Sequence, residues 1–148
     1  MTKGAPVNAL DLYLYVECSE KGVKRIGFSR ELPDEPSVLA EKLAAHLEKG
    51  APCPAPELDL SGCTDFQKRI YATVQGIERG RTMTYGEVAF LASRPGAARA
   101  VGRAMAANPF LVLVPCHRVV ARSGLGGFAF GLDIKERMLA LERSHRSE

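Results

Sequence analysis

Two helix-start signals in the second half of the chain constrain its fold more than any other feature. Thr64 is followed three residues later by Gln67, and Thr84 by Glu87, each before an apolar segment. This is the spacing of the capping box, in which the side chains of both residues accept hydrogen bonds from the backbone of the first turn. Because a short turn at 93–96 follows the second signal, the pattern predicts a helix-turn-helix.

The helix predicted over 97–107, the recognition element of that motif, is unusual in composition. Val101 and Met105 fall on one face, Arg99 and Arg103 fall on the opposite face, and nearly every other residue is Ala or Gly. A helix that reads base edges in the major groove normally carries Asn, Gln or Ser, and this helix has none. The composition therefore favours contacts to the shape and phosphates of DNA over sequence reading.

Charge is unevenly distributed along the chain. Residues 1–60 carry seven Lys/Arg and ten Asp/Glu, whereas residues 61–148 carry thirteen and seven. Seven arginines and a single acid, Glu87, lie between Arg79 and Arg122 inclusive. Arginines commonly do no more than cover a solvated helix. Here they coincide with the helix-turn-helix, so we interpret them as a footprint for nucleic acid.

The chain divides near residue 60 into two predicted domains. Apolar alternation over 10–18 and 23–29 predicts a β-hairpin, and a leucine stripe over 37–49 predicts an amphipathic helix. Residues 1–60 are therefore expected to form a small α/β domain. Residues 61–148 are expected to form the helix-turn-helix domain and to end in a further helix.

Composition and the first residues predict a cytoplasmic protein without membrane spans. The chain is 46% hydrophobic and 25% charged, as is typical of globular proteins. No apolar run approaches the roughly 18 residues that span a bilayer. Asp11 comes early, and no apolar core followed by a small-residue cleavage site precedes the first strand.

The four cysteines follow no recognised ligand spacing. Cys18, Cys53, Cys63 and Cys116 contain no C-x-x-C pair, so spacing predicts no zinc site. The first three could still converge with His46 on a metal. A Cys53–Cys63 disulfide also stays open, although a reducing cytoplasm disfavours it.

Residues 115–119, Pro-Cys-His-Arg-Val, hold the strongest functional signal. Cys116 follows the apolar run 110–114 and directly precedes His117 and Arg118. Nearby positive charge and aligned backbone dipoles lower a thiol pKa from about 8.5, and the thiolate is the nucleophile. From these residues alone two interpretations are open: an activated cysteine, or a small core residue beside a loop histidine.

Five segments resemble the O6-alkylguanine-DNA alkyltransferases in sequence, order and spacing. They are Thr-Tyr-Gly-Glu-Val-Ala (84–89), Ala-Ala-Arg-Ala-Val-Gly (97–102), Asn-Pro (108–109), Pro-Cys-His-Arg-Val-Val (115–120) and Leu-Ala-Leu-Glu (139–142). The resemblance is strong across 62–143 and weak before it. It implies an α/β fold, with a small ribonuclease H-like α/β domain at 1–60 and a winged-helix-like helix-turn-helix domain at 61–148.

The resemblance also implies a mechanism. Cys116 would take the alkyl group from guanine O6 irreversibly, once per polypeptide, with no cofactor or metal. His117 would draw off the thiol proton through a water, and Glu142 would orient and stabilise the imidazole. Asn108 would be a hinge between the recognition helix and the active-site segment.

For the partner, the resemblance implies a monomer that binds double-stranded DNA containing O6-alkylguanine in the minor groove and flips the damaged nucleotide. Arg99 would replace the flipped nucleotide in the base stack. The hydroxyl of Tyr85 would contact guanine and help to rotate its phosphate. The other predicted substrate or DNA contacts are Arg103, Arg118, Phe128, the Val119 carbonyl and the Ala129 N–H group.

The glycine-rich loop departs from the family pattern. The family usually carries a tyrosine, a small residue and paired glycines, where this chain has Phe128, Ala129, Phe130 and Gly131. Phe128 can stack on a base but offers no hydroxyl. We expect Phe130 to narrow the pocket and to disfavour bulky alkyl groups.

Two other classes of protein are disfavoured by particular residues. A non-catalytic alkyltransferase-like lesion sensor lacks the acceptor cysteine, which this chain has at Cys116. A winged-helix DNA-binding regulator needs sequence-reading side chains, which are absent from 97–107.

Overall fold

The computed structural model describes residues 1–144, which form the mixed α/β fold that the sequence predicts. A sheet unit comes first and a helical unit follows. Residues 145–148, the end of the domain predicted at 61–148, lie outside the described residues. Within the described part, no helix combines the length and apolar character needed to cross a membrane.

The sheet unit has four strands in the spatial order β3-β2-β1-β4. The antiparallel pairs are β1 with β2 and β2 with β3, whereas β4 runs parallel to β1. The predicted β2–β3 hairpin is thereby confirmed. The strand bounds are β1 (Lys3–Val7), β2 (Leu12–Ser19), β3 (Gly22–Ser29) and β4 (Glu35–Pro36).

Strand propensity does not predict β1, because glycine and proline are both disfavoured in strands. The structure requires the glycine: a Cβ atom on Gly4 would lie 2.3 Å from the carbonyl oxygen of Leu14 on the neighbouring strand. The close approach of the β1 and β2 backbones explains why glycine stands at position 4, although glycine is disfavoured in strands.

Helix α1 (Val38–Lys49) packs on β1 and β2 and begins and ends where the sequence predicts. The Ser37 hydroxyl accepts a hydrogen bond from the Ala40 N–H group at 3.1 Å. Gly50 ends the helix with a φ of 74°, a left-handed conformation that glycine adopts without strain.

The helical unit is built from α2 (Asp65–Gln75), α3 (Tyr85–Leu91), α4 (Ala98–Ala106) and α5 (Leu132–Ser144). Both predicted capping boxes are formed, with Thr64 and Gln67 at the start of α2 and Thr84 and Glu87 at the start of α3. A parallel pair, β5 (Met83–Thr84) and β6 (Val119–Val120), joins the start of α3 to the segment after Cys116.

Helix α4 has the two faces that the sequence predicts. Val101 and Met105 are buried, while Arg99 and Arg103 are exposed. The face turned inward is held to α2 by the Tyr71 hydroxyl, which donates to the Ala104 carbonyl at 2.9 Å. The two arginines therefore project from a helix whose position is fixed by its other side.

Candidate active site

Cys116 lies in a small cleft of about 200 Å³ between the helix-turn-helix and the glycine-rich loop. Four larger clefts on the surface of residues 1–144 do not contain it. Four predicted site residues, Cys116, Tyr85, Phe128 and Ala129, meet at this cleft. The complete lining is Tyr85, Gly102, Met105, Ala106, Cys116, Gly127, Phe128 and Ala129.

A strained turn delivers Cys116 to the cleft. The apolar run 110–114 is buried throughout. At its centre Val112 has a φ of 72°, and the Leu113 N–H group donates to the Leu111 carbonyl at 2.9 Å. This is a γ-turn of the strained kind, in a conformation that a β-branched residue rarely adopts. Strain of this sort persists only where the surrounding packing imposes it, and it often marks a functional site.

The pKa of the Cys116 thiol is shifted in the direction opposite to the one predicted from the sequence. Burial raises the pKa of Cys116, against the opposing influence of the Asn108 side chain and the charge of Lys135. The predicted lowering by adjacent basic residues is therefore wrong, because loss of water around the sulfur outweighs the nearby charge. At neutral pH the thiol is protonated and needs a base.

His117 and Glu142 lie next to each other in the interior. Both are almost completely buried, and His117 Nε2 is 3.0 Å from Glu142 Oε2, although the ring N–H is not well aligned with that oxygen. The other ring nitrogen, Nδ1, has no hydrogen-bond partner within residues 1–144. Burial lowers the pKa of His117 although Glu142 opposes this, so the imidazole is neutral at pH 7.

Arg118 was predicted to contact DNA, and the structure corrects this. Its guanidinium is buried and binds Glu142 with two hydrogen bonds, Nε to Oε1 at 2.8 Å and Nη2 to Oε2 at 2.6 Å. Its Nη1 donates to the Ile77 carbonyl at 2.7 Å. A guanidinium held this way cannot reach a phosphate, so Arg118 belongs to the interior of the site.

The ion pair also sets the state of the carboxylate. Burial of Glu142 opposes ionisation, but the hydrogen bonds from Arg118 and the close approach of His117 outweigh it and hold the pKa of Glu142 well below its usual range. The buried acid is therefore a stable anion beside a neutral imidazole.

Asn108 connects the end of α4 to the active-site segment. Its Nδ2 donates to the Val114 carbonyl at 2.9 Å, and its Oδ1 accepts from the Phe110 N–H group at 2.9 Å. Both partners belong to the buried run before Cys116. The Asn108 side chain thus ties the end of α4 to the segment that precedes Cys116.

Lys135 is a site residue that the predictions from the sequence do not include. This lysine is fully buried, and its ammonium donates to the carbonyls of Val119 at 2.6 Å, Leu125 at 2.6 Å and Gly127 at 2.9 Å. Burial lowers the pKa of Lys135 to about 8. A signal was present: Lys135, Met138, Leu139 and Glu142 follow the helical spacing of one buried face, so two charged residues interrupt an apolar stripe.

The site residues fall within a known family pattern. The family model described as "6-O-methylguanine DNA methyltransferase, DNA binding domain" matches residues 65–144. The chain belongs to this methyltransferase family.

Similar proteins extend the comparison in sequence and in structure. A methylated-DNA--protein-cysteine methyltransferase of Mycolicibacterium paratuberculosis is 52% identical over 90 residues, or 60% of this chain and 54% of that protein. The chain thus matches about half the length of this relative. A methylated-DNA--protein-cysteine methyltransferase of Salmonella typhimurium is 39% identical over 117 residues, which are 78% of this chain and 68% of that protein. The crystal structure of Mycobacterium tuberculosis OGT in complex with DNA matches 97% of this chain and 93% of that one, with a TM-score of 0.82 and 32% identity.

In this family member, Tyr85 fixes the glycine-rich loop. Its hydroxyl accepts a hydrogen bond from the Gly127 N–H group at 3.1 Å. Gly126 has a φ of 76°, and a Cβ atom there would lie 2.5 Å from the Tyr85 hydroxyl oxygen. Glycine is therefore required at 126 by both backbone conformation and space.

We expect Gly126→Ala to lower the free energy of unfolding by about 1–3 kcal/mol and to disturb the cleft, since the added methyl group displaces Tyr85. Urea denaturation and the rate of Cys116 alkylation would measure the two effects. Gly124→Ala in the same loop is the matched control, because a Cβ atom there meets nothing within 4 Å. Equal behaviour of the two variants would contradict the assigned contact.

The aromatic residues of the loop differ from expectation. Phe128 lines the cleft, but Phe130 does not. Phe130 instead packs edge-on against Phe128, with centroids 5.9 Å apart, and against Phe28 of β3, with centroids 5.4 Å apart. The expected narrowing of the pocket by Phe130 is therefore wrong, because its ring turns toward the sheet unit.

The remaining predicted contacts divide into accessible and internal groups. Arg99 and Arg103 are exposed on α4, and Ala129 lines the cleft. Val119 is buried beside β5, where its carbonyl already accepts from Lys135. Within the arginine-rich segment, Arg79 joins Arg118 in the interior. The surface footprint is thus smaller than the sequence suggests.

The other three cysteines are free thiols. Cys18 and Cys53 are exposed and Cys63 is half-buried, so the Cys53–Cys63 disulfide considered above does not form. Within residues 1–144, no three His, Cys, Asp or Glu side chains are grouped as metal ligands would be.

Proposed function

We propose that this protein repairs DNA by transferring an alkyl group from O6 of guanine to Cys116. The observation that carries the proposal is a reactive residue type at the cleft, Cys116, backed by a neutral His117 and an ionised Glu142. Membership of the methyltransferase family and the names of the similar proteins support the same activity.

The proposed transfer moves one proton and exchanges one bond of the alkyl carbon for another. His117 Nδ1, which has no partner within residues 1–144, receives the thiol proton through a water molecule. The Sγ atom of Cys116 then attacks the alkyl carbon, the bond from that carbon to O6 breaks, and the proton passes to the released guanine. The thioether product has no leaving group, so each polypeptide reacts once. Glu142 stabilises the imidazolium that forms in between.

Substrate recognition is proposed to use the rim of the cleft. The Ala129 N–H group has no acceptor within residues 1–144 and is available to O6. Phe128 stacks on the base, Tyr85 contacts the guanine ring, and the second lone pair of the Val119 carbonyl accepts from the exocyclic amine. Asn108 acts as the hinge that connects these contacts to α4.

Double-stranded DNA is the proposed partner. The solved relative from Mycobacterium tuberculosis is described as a complex with DNA. The small side chains of α4 suit a minor groove about 6 Å wide, and the exposed Arg99 is proposed to enter the base stack. Arg103, four residues later on the same exposed face, is assigned to a phosphate.

Three coarser proposals accompany the activity. The division into domains at 1–60 and 61–148 is supported by the proline-rich connector around Pro54, which contains no helix or strand. We propose a monomer. We propose a cytoplasmic location, because a thiol used as acceptor needs a reducing compartment and all four cysteines are free.

Intact-mass measurement tests the activity. Incubation with duplex DNA containing O6-methylguanine should add a single increment of about 14 Da, the mass of a CH₂ group, mapped to Cys116. Cys116→Ser should show no increment. An adduct on Cys18, Cys53 or Cys63, or tight binding of lesion DNA without any adduct, would count against transfer to Cys116.

The pH dependence of transfer tests the role of His117. Since burial lowers the pKa of His117, its neutral form persists to lower pH than that of a free histidine. We expect the rate with O6-benzylguanine as free base to stay flat from about pH 8 to about pH 6.5 and to fall only below that. A decline centred above pH 6.5 would show that the imidazolium is favoured and that the assignment is wrong.

A further inference from the structure

Arg79 joins the sheet unit to the active site. It is buried, and its Nη1 and Nη2 donate to the carbonyls of His46 at 2.5 Å and Leu47 at 3.0 Å, both in the last turn of α1. On its other side, Nη2 donates to the Leu141 carbonyl at 3.4 Å, and Nη1 lies 3.6 Å from Glu142 Oε2. One guanidinium thus connects the end of α1 with the end of α5.

The end of α1 takes part in fixing the position of Arg79. The last carbonyls of a helix have no partner within the helix and form the negative end of its dipole, so they attract a cation. Two such carbonyls, from His46 and Leu47, hold the Arg79 guanidinium in place. Helix α1 of the sheet unit therefore helps to set where this positive charge lies relative to Glu142.

The positive charge of Arg79 lies near the Glu142 oxygen that faces His117, the proposed base. Arg118 binds both carboxylate oxygens of Glu142, and Arg79 adds a second positive charge near Oε2, the oxygen that faces His117. An anion shared by two guanidinium groups stabilises an imidazolium less than an anion paired with one. Arg79 thereby favours the neutral imidazole that alkyl transfer requires.

We propose that Arg79 is a positioning residue through which helix α1 controls the protonation of His117 by way of Glu142. This inference rests on the proposed alkyl transfer to Cys116. It assigns the sheet unit a part in the reaction, although that unit contributes no residue to the lining of the cleft. The other titratable or charged groups near the pair are Arg118, Lys135, His46, Cys53 and Cys116.

Two variants separate the charge of Arg79 from its hydrogen bonds. R79Q keeps a donor but removes the charge. We expect it to move the acidic limb of the pH–rate profile with O6-benzylguanine upward by about half a unit or more, which lowers the rate on that limb about threefold or more. R79K keeps the charge, so its limb should stay at the wild-type pH with a smaller loss of rate. Affinity for DNA should not change, because Arg79 is buried.

Arg137→Met is the matched control. Arg137 also joins α5 to the sheet unit, donating to the carbonyls of Ala9 at 2.7 Å and Leu10 at 3.5 Å, but it forms no contact with Glu142. The rate of Arg137→Met with O6-benzylguanine and its pH–rate profile should equal those of the wild type. Circular dichroism and thermal unfolding would verify that each variant is folded under the assay conditions.

The outcomes distinguish the inference from the function on which it rests. A wild-type protein that takes up no alkyl group on Cys116 refutes the proposed function. With an active wild type, an unshifted acidic limb in R79Q overturns the inference even if the rate falls, because Arg79 then only holds the two units together. If R79Q does not fold, R79K decides: an upward shift of its limb overturns the inference, and an unshifted limb with reduced rate supports it.

Discussion

Glu142→Ala should lower the free energy of unfolding by about 3–5 kcal/mol at pH 7, because it leaves buried guanidinium groups without their anion. The carboxylate is 1% exposed, with Arg118 bound to both its oxygens and Arg79 3.6 Å away. Urea denaturation at constant slope measures the loss. Glu136→Ala on the exposed side of the same helix is the control, and it should change stability by less than about 0.5 kcal/mol.

The loss of stability in Glu142→Ala should depend on pH. The pKa of Glu142 is lower in the folded protein than in the unfolded chain. As pH falls below about 4.3, the Glu142 carboxylate is protonated in the unfolded chain while it stays ionised in the folded protein. The stabilisation by the ion pair therefore decreases steadily until the pH reaches the pKa of Glu142 in the folded protein. The stability difference between wild type and Glu142→Ala should be complete above about pH 4.3 and shrink below it. A difference that stays constant to the lowest pH at which both proteins fold would contradict the ion-pair origin.

Arg99→Ala should slow repair within duplex DNA about 100-fold and leave the reaction with free O6-benzylguanine unchanged. The reason is that extruding a base costs a few kcal/mol, which the proposed insertion of Arg99 into the stack offsets. Single-turnover rates on both substrates measure the effect. Arg30→Ala, an exposed arginine of the sheet unit, is the control and should match the wild type on both. Equal losses on duplex and free base would show that Arg99 does not act through nucleotide flipping.

Arg103→Ala separates phosphate contact from base flipping. It should weaken DNA binding evenly across sequences and reduce the slope of log affinity against log salt by about one. Its single-turnover rate at saturating DNA should stay close to wild type. A loss like that of Arg99→Ala would place Arg103 in the flipping step as well.

The helices are predictable from the sequence because their signals are local. Thr64 with Gln67, Thr84 with Glu87 and Ser37 with Ala40 each form hydrogen bonds within three residues along the chain. Such pairs can be read from spacing alone. Strand β1 was missed for the opposite reason, since its Gly4 is explained only by the approach of Leu14 on another strand.

The protonation states in the site needed the tertiary structure. Cys116 was expected to have a lowered pKa from its basic neighbours, yet burial raises it. Adjacency in sequence suggested that Arg118 acts on the thiol or on DNA. Its actual partner is Glu142, twenty-four positions away. Electrostatic partners that are far apart along the chain are set by packing, so the residues adjacent in the sequence do not identify them.

By itself the sequence determined the helix-turn-helix, the two faces of α4 and the acceptor candidate Cys116, because helix caps, side-chain periodicity and residue type are local properties. Only the tertiary structure decided that Arg79, Arg118 and Lys135 are internal, that Phe130 packs on Phe28, and that His117 is neutral. Those outcomes depend on removal of water and on long-range ion pairs, whose energies arise only when distant segments close around the site.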